Sequence, residues 1–296
     1  MSGFRSGFVG IVGRPNVGKS TILNHFVGQE VAITSPRSQT TRRRILGVLT
    51  REEMQIVFVD TPGFHRPEHA LGRSMVETAK AVLGEADVLI AVIDARAGLT
   101  AEDEAVFSRL RQANRPAILA LNKVDLVKKP HLLPILAACG ETGLFAACVP
   151  VSALTGVQMD VLLAAVVPFL PEGPRWYEPE QRTDQTMQQL AGEFVREQLL
   201  LATRQEVPHA LAVRIDELTE EGALVRIRAT ILVEREGQKA IVIGRGGQTL
   251  KTIGQKARQQ LERLVGRKVF LELWVKVAED WRNDERMLRE LGYEGR

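Results

Sequence analysis

The chain has 296 residues, of which 45% are hydrophobic and 25% are charged; these are the proportions of an ordinary globular protein and not of a disordered or fibrous one. No apolar run approaches the roughly 20 residues of a membrane-spanning helix. The formal net charge of +3 is too small to indicate a partner by itself, whereas the length is sufficient for two domains.

The N-terminal segment and the two cysteines predict a cytoplasmic protein. The segment MSGFRSGFVGIVG runs directly into a phosphate-loop pattern, which leaves no room for a cleavable signal peptide. Cys139 and Cys148 lie in apolar stretches without a Cys-x-x-Cys spacing. We therefore expect buried free thiols rather than a disulfide or metal ligands.

Short β-branched runs alternate with amphipathic helical stretches up to residue 170. Some runs, such as VLIAVID, are apolar on both faces, as central parallel strands require, and Thr100 with Asp103 forms a capping-box pattern before a helix. This alternation predicts an α/β domain over 1–171, with a mostly parallel sheet and helices on both faces. We expect strands at 8–12, 45–49, 54–60, 87–94, 116–122 and 145–152, and helices at 18–28, 71–84, 101–113, 131–142 and 157–170.

A proline-rich polar segment then breaks the alternation and predicts a linker, which we place at 172–185. The remainder follows the order α-β-β-α-α-β-α, which describes a small α+β domain over 186–296 with a C-terminal helix. We expect strands at 209–218, 223–234 and 268–277, helices at 186–204 and 279–291, and a Gly-rich turn at 244–247 that opens a helix ending near 265.

A phosphate-loop pattern, G-x-x-x-x-G-K-[ST], follows the first predicted strand and opens the first predicted helix. Its glycines let backbone N–H groups close around phosphate oxygens, and the helix N-terminus adds partial positive charge. A chance match in a chain of this length is expected about once in a hundred. We therefore predict a nucleoside triphosphate site that contacts Gly13, Arg14, Pro15, Asn16, Val17, Gly18, Lys19, Ser20 and Thr21.

Two short motifs at the ends of later strands predict that the base is guanine. A carboxylate at Asp125 can accept two hydrogen bonds from guanine N1–H and the exocyclic amine, a donor pair that adenine lacks. Asn122 can tie the loops together, and the stem of Lys123 can lie across the base. After the sixth strand, backbone N–H groups can meet the guanine oxygen. The predicted base contacts are Asn122, Lys123, Asp125, Ser152, Ala153 and Leu154.

Two further segments are expected to sense the γ-phosphate, as in nucleotide-dependent switches. The first, Asp60-Thr61-Pro62-Gly63, follows the third strand; Asp60 can hold Mg²⁺ through water, and the Gly63 N–H can bond the γ-phosphate. The second lies at 35–44, where a threonine hydroxyl would complete the Mg²⁺ shell. Arg42–Arg44 is either a solvated charge run or a phosphate or RNA contact.

These motifs resemble the translation-factor-like GTPases, and within them the family that contains Era, Der and the tRNA-modification GTPase. Residues 39–42, Gln-Thr-Thr-Arg, resemble the switch sequence of that group, which makes Thr41 the better match to the Mg²⁺-binding threonine and Thr40 the alternative. The implied metal ligands are Ser20, Thr41 and Asp60, and the implied catalytic residues are Lys19, Thr41, Gly63 and Asn16.

Two positions refine what this resemblance implies. Many relatives place a water-orienting glutamine where this chain has Phe64, and a phenyl ring cannot orient water, so we expect slow hydrolysis. His65 is a candidate substitute, although a surface role is the simpler expectation. In relatives, an asparagine at the position of Asn16 helps to bind K⁺ in place of an arginine finger; the alternative is that Asn16 only shapes the loop.

The Gly-rich turn at 244–247 predicts a nucleic-acid contact. Gly-x-x-Gly alone is weak, since about two chance matches are expected at the glycine content of this chain. Here, however, it lies between two predicted helices in a basic region. That region contains Lys239, Arg245, Lys251, Lys256, Arg258, Arg263, Arg267 and Lys268 against the single acid Glu262.

This arrangement resembles the prokaryotic type (type II) of KH domain, in which the Gly-x-x-Gly loop clamps single-stranded RNA. The resemblance implies RNA contacts at Ile243, Gly244, Arg245, Gly246, Gly247, Gln248 and Lys251. Ile241, Ile243, Leu250 and Ile253 are expected to form the walls of the groove, although each could equally belong to the core.

A GTPase domain followed by a KH domain resembles the Era family over nearly the whole chain. The resemblance implies a GTP, GDP and Mg²⁺ site, binding to the 3′ end of 16S rRNA and a role in assembly of the small ribosomal subunit. We expect a monomer. Two alternatives remain: a signalling GTPase whose basic face lies on the inner surface of the membrane as a peripheral protein, and an ATP-dependent enzyme. Liposome sedimentation would test the first, and Asp125 argues against the second.

Overall fold

The computed structural model describes residues 3–293. The outermost ends of the two predicted domains, residues 1–2 and 294–296, lie outside that range. Within the described range, no helix combines the length and the apolar character needed to cross a membrane.

The first part of the chain forms a six-stranded sheet of order β2-β3-β1-β4-β5-β6 with helices on both faces. β2 and β3 form an antiparallel hairpin and all other neighbours are parallel, so the predicted mostly parallel α/β fold is confirmed. The strands are β1 Arg5–Val12, β2 Ile45–Thr50, β3 Met54–Asp60, β4 Val88–Asp94, β5 Ala117–Asn122 and β6 Ala147–Pro150; the helices are α1 Lys19–Val27, α2 Ala70–Glu85, α3 Ala101–Ala113, α4 Leu132–Glu141 and α5 Met159–Val166.

Most predicted elements fall within a few residues of the observed ones, and the capping box at Thr100 and Asp103 is confirmed. The predicted helix over 157–170 is an exception, because α5 ends at Val166 and continues as the 3₁₀ turn Val167–Phe169. Pro168 lies in this turn and has no N–H to donate to an α-helical carbonyl. The helix therefore tightens and stops there.

The second part packs three helices on one face of a three-stranded sheet of order β7-β8-β9. β7 and β8 are antiparallel, while β8 and β9 are parallel over ten residue pairs. The elements are α6 Met187–Ala202, β7 Ala212–Glu221, β8 Leu224–Val233, α7 Glu236–Ile243, α8 Gln248–Val265, β9 Lys268–Val277 and α9 Glu285–Glu290.

Two boundaries in this part differ from the prediction. β7 begins at Ala212 rather than at residue 209, because Val207–Ala210 forms a 3₁₀ turn around Pro208. The single helix predicted over 279–291 is a 3₁₀ turn followed by the short α9. Asp284 causes this break, since its backbone is extended and its carboxylate caps the N–H groups of Arg286 and Met287.

The predicted linker does not hang free in solvent. Val48 of the sheet donates its N–H to the carbonyl of Arg182, and Thr183 donates its hydroxyl to the carbonyl of Leu46. The side chain of Gln55 bonds the backbone of Tyr177 through both of its polar atoms. The segment 172–185 therefore runs along the outer strand β2 and covers this edge of the sheet.

A hydrophobic cluster joins the two parts of the chain. Leu71 and Met75 of α2 pack with Trp281, Leu288 and Tyr293 from the C-terminal segment, and all five are buried. Elsewhere, Cys139 is a buried free thiol and Cys148 a half-buried one, close to the expectation from the sequence.

Candidate functional site

The phosphate loop connects β1 to α1 and lines a cleft of about 1050 Å³. The loop needs glycine at Gly13, where a Cβ would lie 2.5 Å from the carbonyl oxygen of Val92, and at Gly18, whose φ is +102°. Lys19 is 6% exposed and donates to the carbonyls of Gly13 and Arg14 at 3.3 and 2.9 Å. Burial lowers the pKa of Lys19 to about 8.

Most of the predicted phosphate-loop contacts line the wall of this cleft, but Gly13 and Val17 do not. Val17 belongs to the core and is 0% exposed, so only its backbone is available to a nucleotide. The guanidinium of Arg14 pairs with Asp103 at the start of α3 at 3.3 Å. The predicted site residues that line the cleft are Arg14, Pro15, Asn16, Gly18, Lys19, Ser20, Thr21, Thr41, Gly63, Lys123 and Leu154.

Three oxygen-bearing side chains converge at the phosphate end of the cleft. Ser20 Oγ lies 2.6 Å from Asp60 Oδ2, and Thr41 Oγ1 lies 2.9 Å from Ser20 Oγ and 3.2 Å from Asp60 Oδ2. Asp60 is fully buried, and its Oδ1 has no hydrogen-bond partner among the described residues. Burial raises the pKa of Asp60, an effect that Lys19 opposes. A hard cation with oxygen ligands, such as Mg²⁺, fits this donor set.

The geometry distinguishes the two threonines that the sequence offered. Thr40 Oγ1 donates to the carbonyl of Arg37 at 2.7 Å and lies 3.0 Å from Ser35 Oγ, so it is engaged within its own loop. Thr41 alone of the two faces Ser20 and Asp60. The better family match is therefore also the better geometric match.

The segment after β3 is held close to the phosphate loop. Thr61 donates its hydroxyl to the carbonyl of Ile11 at 3.0 Å, and a Cβ on Gly63 would lie 2.6 Å from the backbone nitrogen of Pro15. Phe64 is 5% exposed under the guanidinium of Arg109. A glycine is therefore required at this close approach, and the next side chain points into the protein.

His65 is not the surface histidine that the sequence led us to expect. Its Nδ1 lies 2.9 Å from the carbonyl oxygen of Gly63, and its Nε2 is buried without a hydrogen-bond partner among the described residues. That nitrogen faces the start of α2, since a Cβ on Gly72 would lie 3.4 Å from it.

The base end of the cleft is organised by Asn122 at the end of β5. Its Nδ2 donates to the carbonyl of Val17 at 2.8 Å, and its Oδ1 accepts the N–H of Ala153 at 3.0 Å. This side chain therefore ties the phosphate loop to the segment Ser152–Leu154. Asp125 is exposed in a 3₁₀ turn directly after β5, and Leu154 is 80% exposed at the rim.

Sequence reasoning missed Asp94, which lines the same cleft from the end of β4. Its Oδ2 lies 2.7 Å from the ammonium of Lys123, which also donates to the carbonyl of Asn16 at 2.6 Å. The sequence did contain a signal for this residue, because Asp94 is the acid that ends the apolar run VLIAVID. Parallel strands place the residues at their carboxyl ends along the edge of the sheet where ligands bind.

The second part of the chain also contributes to the cleft, which sequence reasoning did not foresee. Glu197, Gln198 and Leu201 of α6 and Gln260 of α8 line it beside residues 33–41. Glu197 accepts the N–H of Thr34 at 2.8 Å and the side-chain amide of Gln260 at 2.6 Å. Burial raises the pKa of Glu197.

Arg42 is buried and Arg43 half-buried, so the run 42–44 is not a solvated charge run throughout, and only Arg44 is exposed. Arg42 is 3% exposed and donates to carbonyl oxygens of the second part of the chain. Arg43 lies 3.7 Å from Glu193 of α6, and Arg44 pairs with Glu85 of α2 at 2.9 Å. They are structural contacts within the protein, and two of them join its two parts.

The Gly-x-x-Gly turn lies between α7 and α8, next to a second cavity of about 510 Å³. Gly244 has φ +71° and ψ 174°, and Gly246 and Gly247 also have positive φ, so the turn depends on glycine. The predicted RNA contacts extend from Ile243, the last residue of α7, through exposed Arg245 to Gln248 and Lys251 on α8.

The residues that form the walls of this cavity differ from those predicted for the RNA groove. Of the four aliphatic residues expected there, only Leu250 lines it, and Ile253 is 1% exposed in the core because it faces the sheet. Ile241 is half exposed on α7 outside the lining. The observed lining comes from α8 and β9: Gly247, Leu250, Lys251, Gly254, Gln255, Arg258, Leu271 and Leu273.

Comparisons with known proteins identify both parts of the chain. The model of a family described as 50S ribosome-binding GTPase matches residues 8–123, and that of the KH domain matches residues 206–282. A crystal structure of Era with MgGDPNP and nucleotides 1506–1542 of 16S ribosomal RNA is 42% identical, covers 99% of this chain and 100% of its own, and has a TM-score of 0.96. This chain belongs to the Era family.

A variant of Aquifex aeolicus Era bound to GDP and AlF4⁻ has the same identity, coverage and TM-score. The Era-family chain described here is therefore a GTPase with a P-loop domain followed by a KH domain, as predicted from the sequence. The alternative of an ATP-dependent enzyme is wrong. No feature of residues 3–293 favours the membrane alternative.

Proposed function

We propose that this Era-family GTPase binds the 3′ end of 16S rRNA through the groove beside Gly244–Gly247 and acts in assembly of the small ribosomal subunit. The observation that carries the proposal is the likeness, over 99% of the chain, to an Era that was crystallised with nucleotides 1506–1542 of 16S rRNA. The GTPase domain spans 1–171, the linker 172–185 and the KH domain 186–296.

The groove has the chemistry of a single-strand RNA site. Gly246 and Gly247 let phosphates approach the backbone at the start of α8, where the helix adds partial positive charge. Lys251 and Arg258 line the cavity and can pair with phosphates, while Leu250, Leu271 and Leu273 offer apolar surface to bases.

In the nucleotide cleft, this chain's residues bind and orient GTP for attack by water. Lys19 and the N–H groups at the start of α1 hold the β and γ phosphates, and the Gly63 N–H holds the γ-phosphate. Ser20, Thr41 and Asp60 would hold Mg²⁺, which supplies charge neutralisation on the phosphate oxygens when bound. Asn122, Lys123 and Asp125, with the backbone of Ser152–Leu154, select guanine.

Hydrolysis is expected to be slow in the isolated protein. Phe64, where many relatives have a water-orienting glutamine, is buried under Arg109, and His65 Nε2 faces α2. The attacking water would thus be oriented by the backbone and by any bound cation. Asn16 would help to hold K⁺ for this purpose.

We further infer that the protein is a cytoplasmic monomer whose GTP-bound form binds RNA more tightly than its GDP-bound form. The coupling between GTP and RNA binding is supported by the nucleotide cleft, whose wall is shared by the two domains. Helices α6 and α8 of the KH domain line it beside residues 33–41. By thermodynamic linkage, RNA must then strengthen GTP binding by the same factor.

Fluorescence anisotropy with a labelled strand of the 16S 3′ end, against a scrambled strand, tests the proposal. It is run with GDPNP and with GDP at one fixed salt concentration, because phosphate contacts depend on salt. Lys251→Gln should weaken binding, whereas Lys128→Gln, on an exposed turn of the GTPase domain, should not. Equal, weak binding of both strands in both nucleotide states would refute the RNA function.

A further inference from the structure

Arg42 lies in a socket that is built entirely by the KH domain. Its guanidinium donates to the carbonyl oxygens of Leu211, His209 and Pro208 at 2.5, 3.2 and 3.3 Å. Its Cζ lies 5.7 Å from the centre of the Trp281 ring and 5.8 Å from that of Tyr293. The cation is thus held by three carbonyl dipoles and two aromatic faces, in a site that is 3% exposed.

The socket is itself tightly held. Trp281 is 0% exposed and donates its indole N–H to the carbonyl of Ala210 at 2.9 Å. Tyr293 and Trp281 belong to the cluster that packs on Leu71 and Met75 of α2, and Ser74 of the same helix donates to the carbonyl of Tyr293. The segment that follows Gly63 therefore supports the socket from the other side.

Arg42 is directly bonded along the chain to Thr41, whose hydroxyl faces Ser20 and Asp60. On the other side of Thr41, the carbonyl of Thr40 accepts a hydrogen bond from Arg196 of α6 at 2.5 Å. Arg196 is 1% exposed and is fixed by Glu193. The KH domain thus holds both neighbours of Thr41, one through its carbonyl and one through its side chain.

We propose that Arg42 is a positioning residue for GTP hydrolysis. Bound in the KH socket, it holds Thr41 close to Ser20 and Asp60. The KH domain thereby helps to set the geometry of the metal site. The proposal rests on the Mg²⁺ role proposed above for Thr41. It does not require that the RNA is ribosomal.

The physical basis is the cost of moving Arg42 alone. Without its guanidinium, two buried carbonyl oxygens, of Leu211 and Pro208, and the partly buried one of His209 lose their donor. A buried polar group that is left unpaired destabilises that arrangement. A lysine offers one compact ammonium in place of a planar fork and satisfies the carbonyls only in part. The position of Thr41 therefore depends on that of Arg42, and a change that moves the socket should also move the threonine.

The test compares Arg42→Ala, Arg42→Lys and the socket variant Trp281→Phe with the matched control Arg44→Ala, which removes an exposed pair with Glu85. We expect Arg42→Ala to lower kcat about tenfold and to raise the Mg²⁺ concentration for half-maximal rate by a similar factor. Arg42→Lys should be intermediate, and Arg44→Ala should stay within about twofold.

A second readout does not depend on turnover. Arg42→Ala should weaken GDPNP binding about tenfold with little effect on GDP, and it should speed amide hydrogen exchange at residues 38–44. Trp281→Phe should shift both measurements in the same direction. If the two changes act through one contact, the double variant should be no worse than Arg42→Ala alone.

Two outcomes would overturn the proposal. One is loss of thermal stability in Arg42→Ala with kcat, the Mg²⁺ requirement and the ratio of GDPNP to GDP affinity all unchanged, since this is what a merely structural contact gives. The other is strict additivity of the two variants. Failure of 16S binding with these effects intact would refute only the proposed RNA partner.

Discussion

The ammonium group of Lys123 lies 2.7 Å from the carboxylate of Asp94. Burial alone would raise the pKa of Asp94, but the hydrogen bond and the charge of Lys123 lower it below its ordinary value, so the carboxylate remains ionised. Lys123 has a left-handed backbone, with φ +67°, and its ammonium also reaches the carbonyl of Asn16. Asp94 thus fixes the lysine that is expected to cover the guanine base.

Asp94→Ala should free the side chain of Lys123 and weaken both GTP and GDP binding about tenfold, the equivalent of about 1.4 kcal/mol. The rate at saturating GTP should change little, because Asp94 lies at the base end of the cleft. Equilibrium titration with a fluorescent guanine nucleotide measures the change. Asp94→Asn keeps an acceptor and should lose less; a loss confined to GTP would contradict this role.

Asp125→Asn should remove the preference for guanine. The amide oxygen can accept one hydrogen bond from the base, but the amide N–H₂ would face the second donor of guanine. One charge-assisted hydrogen bond is therefore lost and two donors face each other. GTP affinity should fall by roughly 100-fold. Competition by GTP and xanthosine triphosphate measures the change, since xanthine replaces the amine by a carbonyl. Asp160→Asn, exposed on α5, is the control; unchanged GTP affinity in Asp125→Asn would refute the assignment.

The sequence sufficed to predict the fold class and the nucleotide loops because these depend on local patterns. The phosphate loop needs glycines next to a strand and a helix, and buried parallel strands such as β4 need continuous apolar runs. Each of these requirements is visible within about ten residues. The two helices whose extent was predicted wrongly are interrupted at single residues, Pro168 and Asp284, against their hydrophobic pattern.

The sequence could not predict contacts that depend on how the two domains pack. Arg42 looks like part of an exposed basic run, and only the KH carbonyls and rings around it show why a charge is buried there. Similarly, Ile253 and Leu273 are both aliphatic, but the first faces the core and the second the groove. Burial in these cases depends on elements that are distant in the sequence and meet only in the folded protein.

Gly244→Ala should destabilise the KH domain more than Gly246→Ala does. Both positions have positive φ, which costs an alanine about 1 kcal/mol or more. At Gly244 the new Cβ would also lie 2.1 Å from Thr249 Oγ1, whereas nothing lies within 4 Å at Gly246. We expect losses of about 3 and about 1 kcal/mol in urea unfolding; equal losses would show that the turn has no packing constraint at Gly244.

The stability of the protein should carry a pH dependence from Glu197. Its pKa is raised above the ordinary value of 4.5 by burial, so the folded protein binds the proton more tightly than the unfolded chain. The stability gained from this group is present below pH 4.5 and is lost as pH rises through the folded pKa. Glu197→Gln should therefore gain stability relative to wild type between pH 4.5 and 7.

The measurement is the difference in melting temperature between Glu197→Gln and wild type across that pH range. Glu52→Gln, exposed on the turn before β3, is the control and should give a constant difference. A flat difference for Glu197→Gln as well would show that the ionised carboxylate is adequately satisfied by Thr34 and Gln260.

Hydrolysis should be faster in K⁺ than in Na⁺ if Asn16 helps to hold a cation beside the phosphates. The Nδ2 of Asn16 lies 3.1 Å from the carbonyl oxygen of Pro36, and rotation of the amide would bring its oxygen to the same place. Two oxygens could then face one monovalent cation.

Asn16 has φ +63°, so Asn16→Gly removes the amide without backbone strain and is the appropriate variant. We expect Asn16→Gly to hydrolyse GTP at equal rates in K⁺ and Na⁺, near the wild-type rate in Na⁺. If the wild type itself has equal rates in the two salts, Asn16 only shapes the loop.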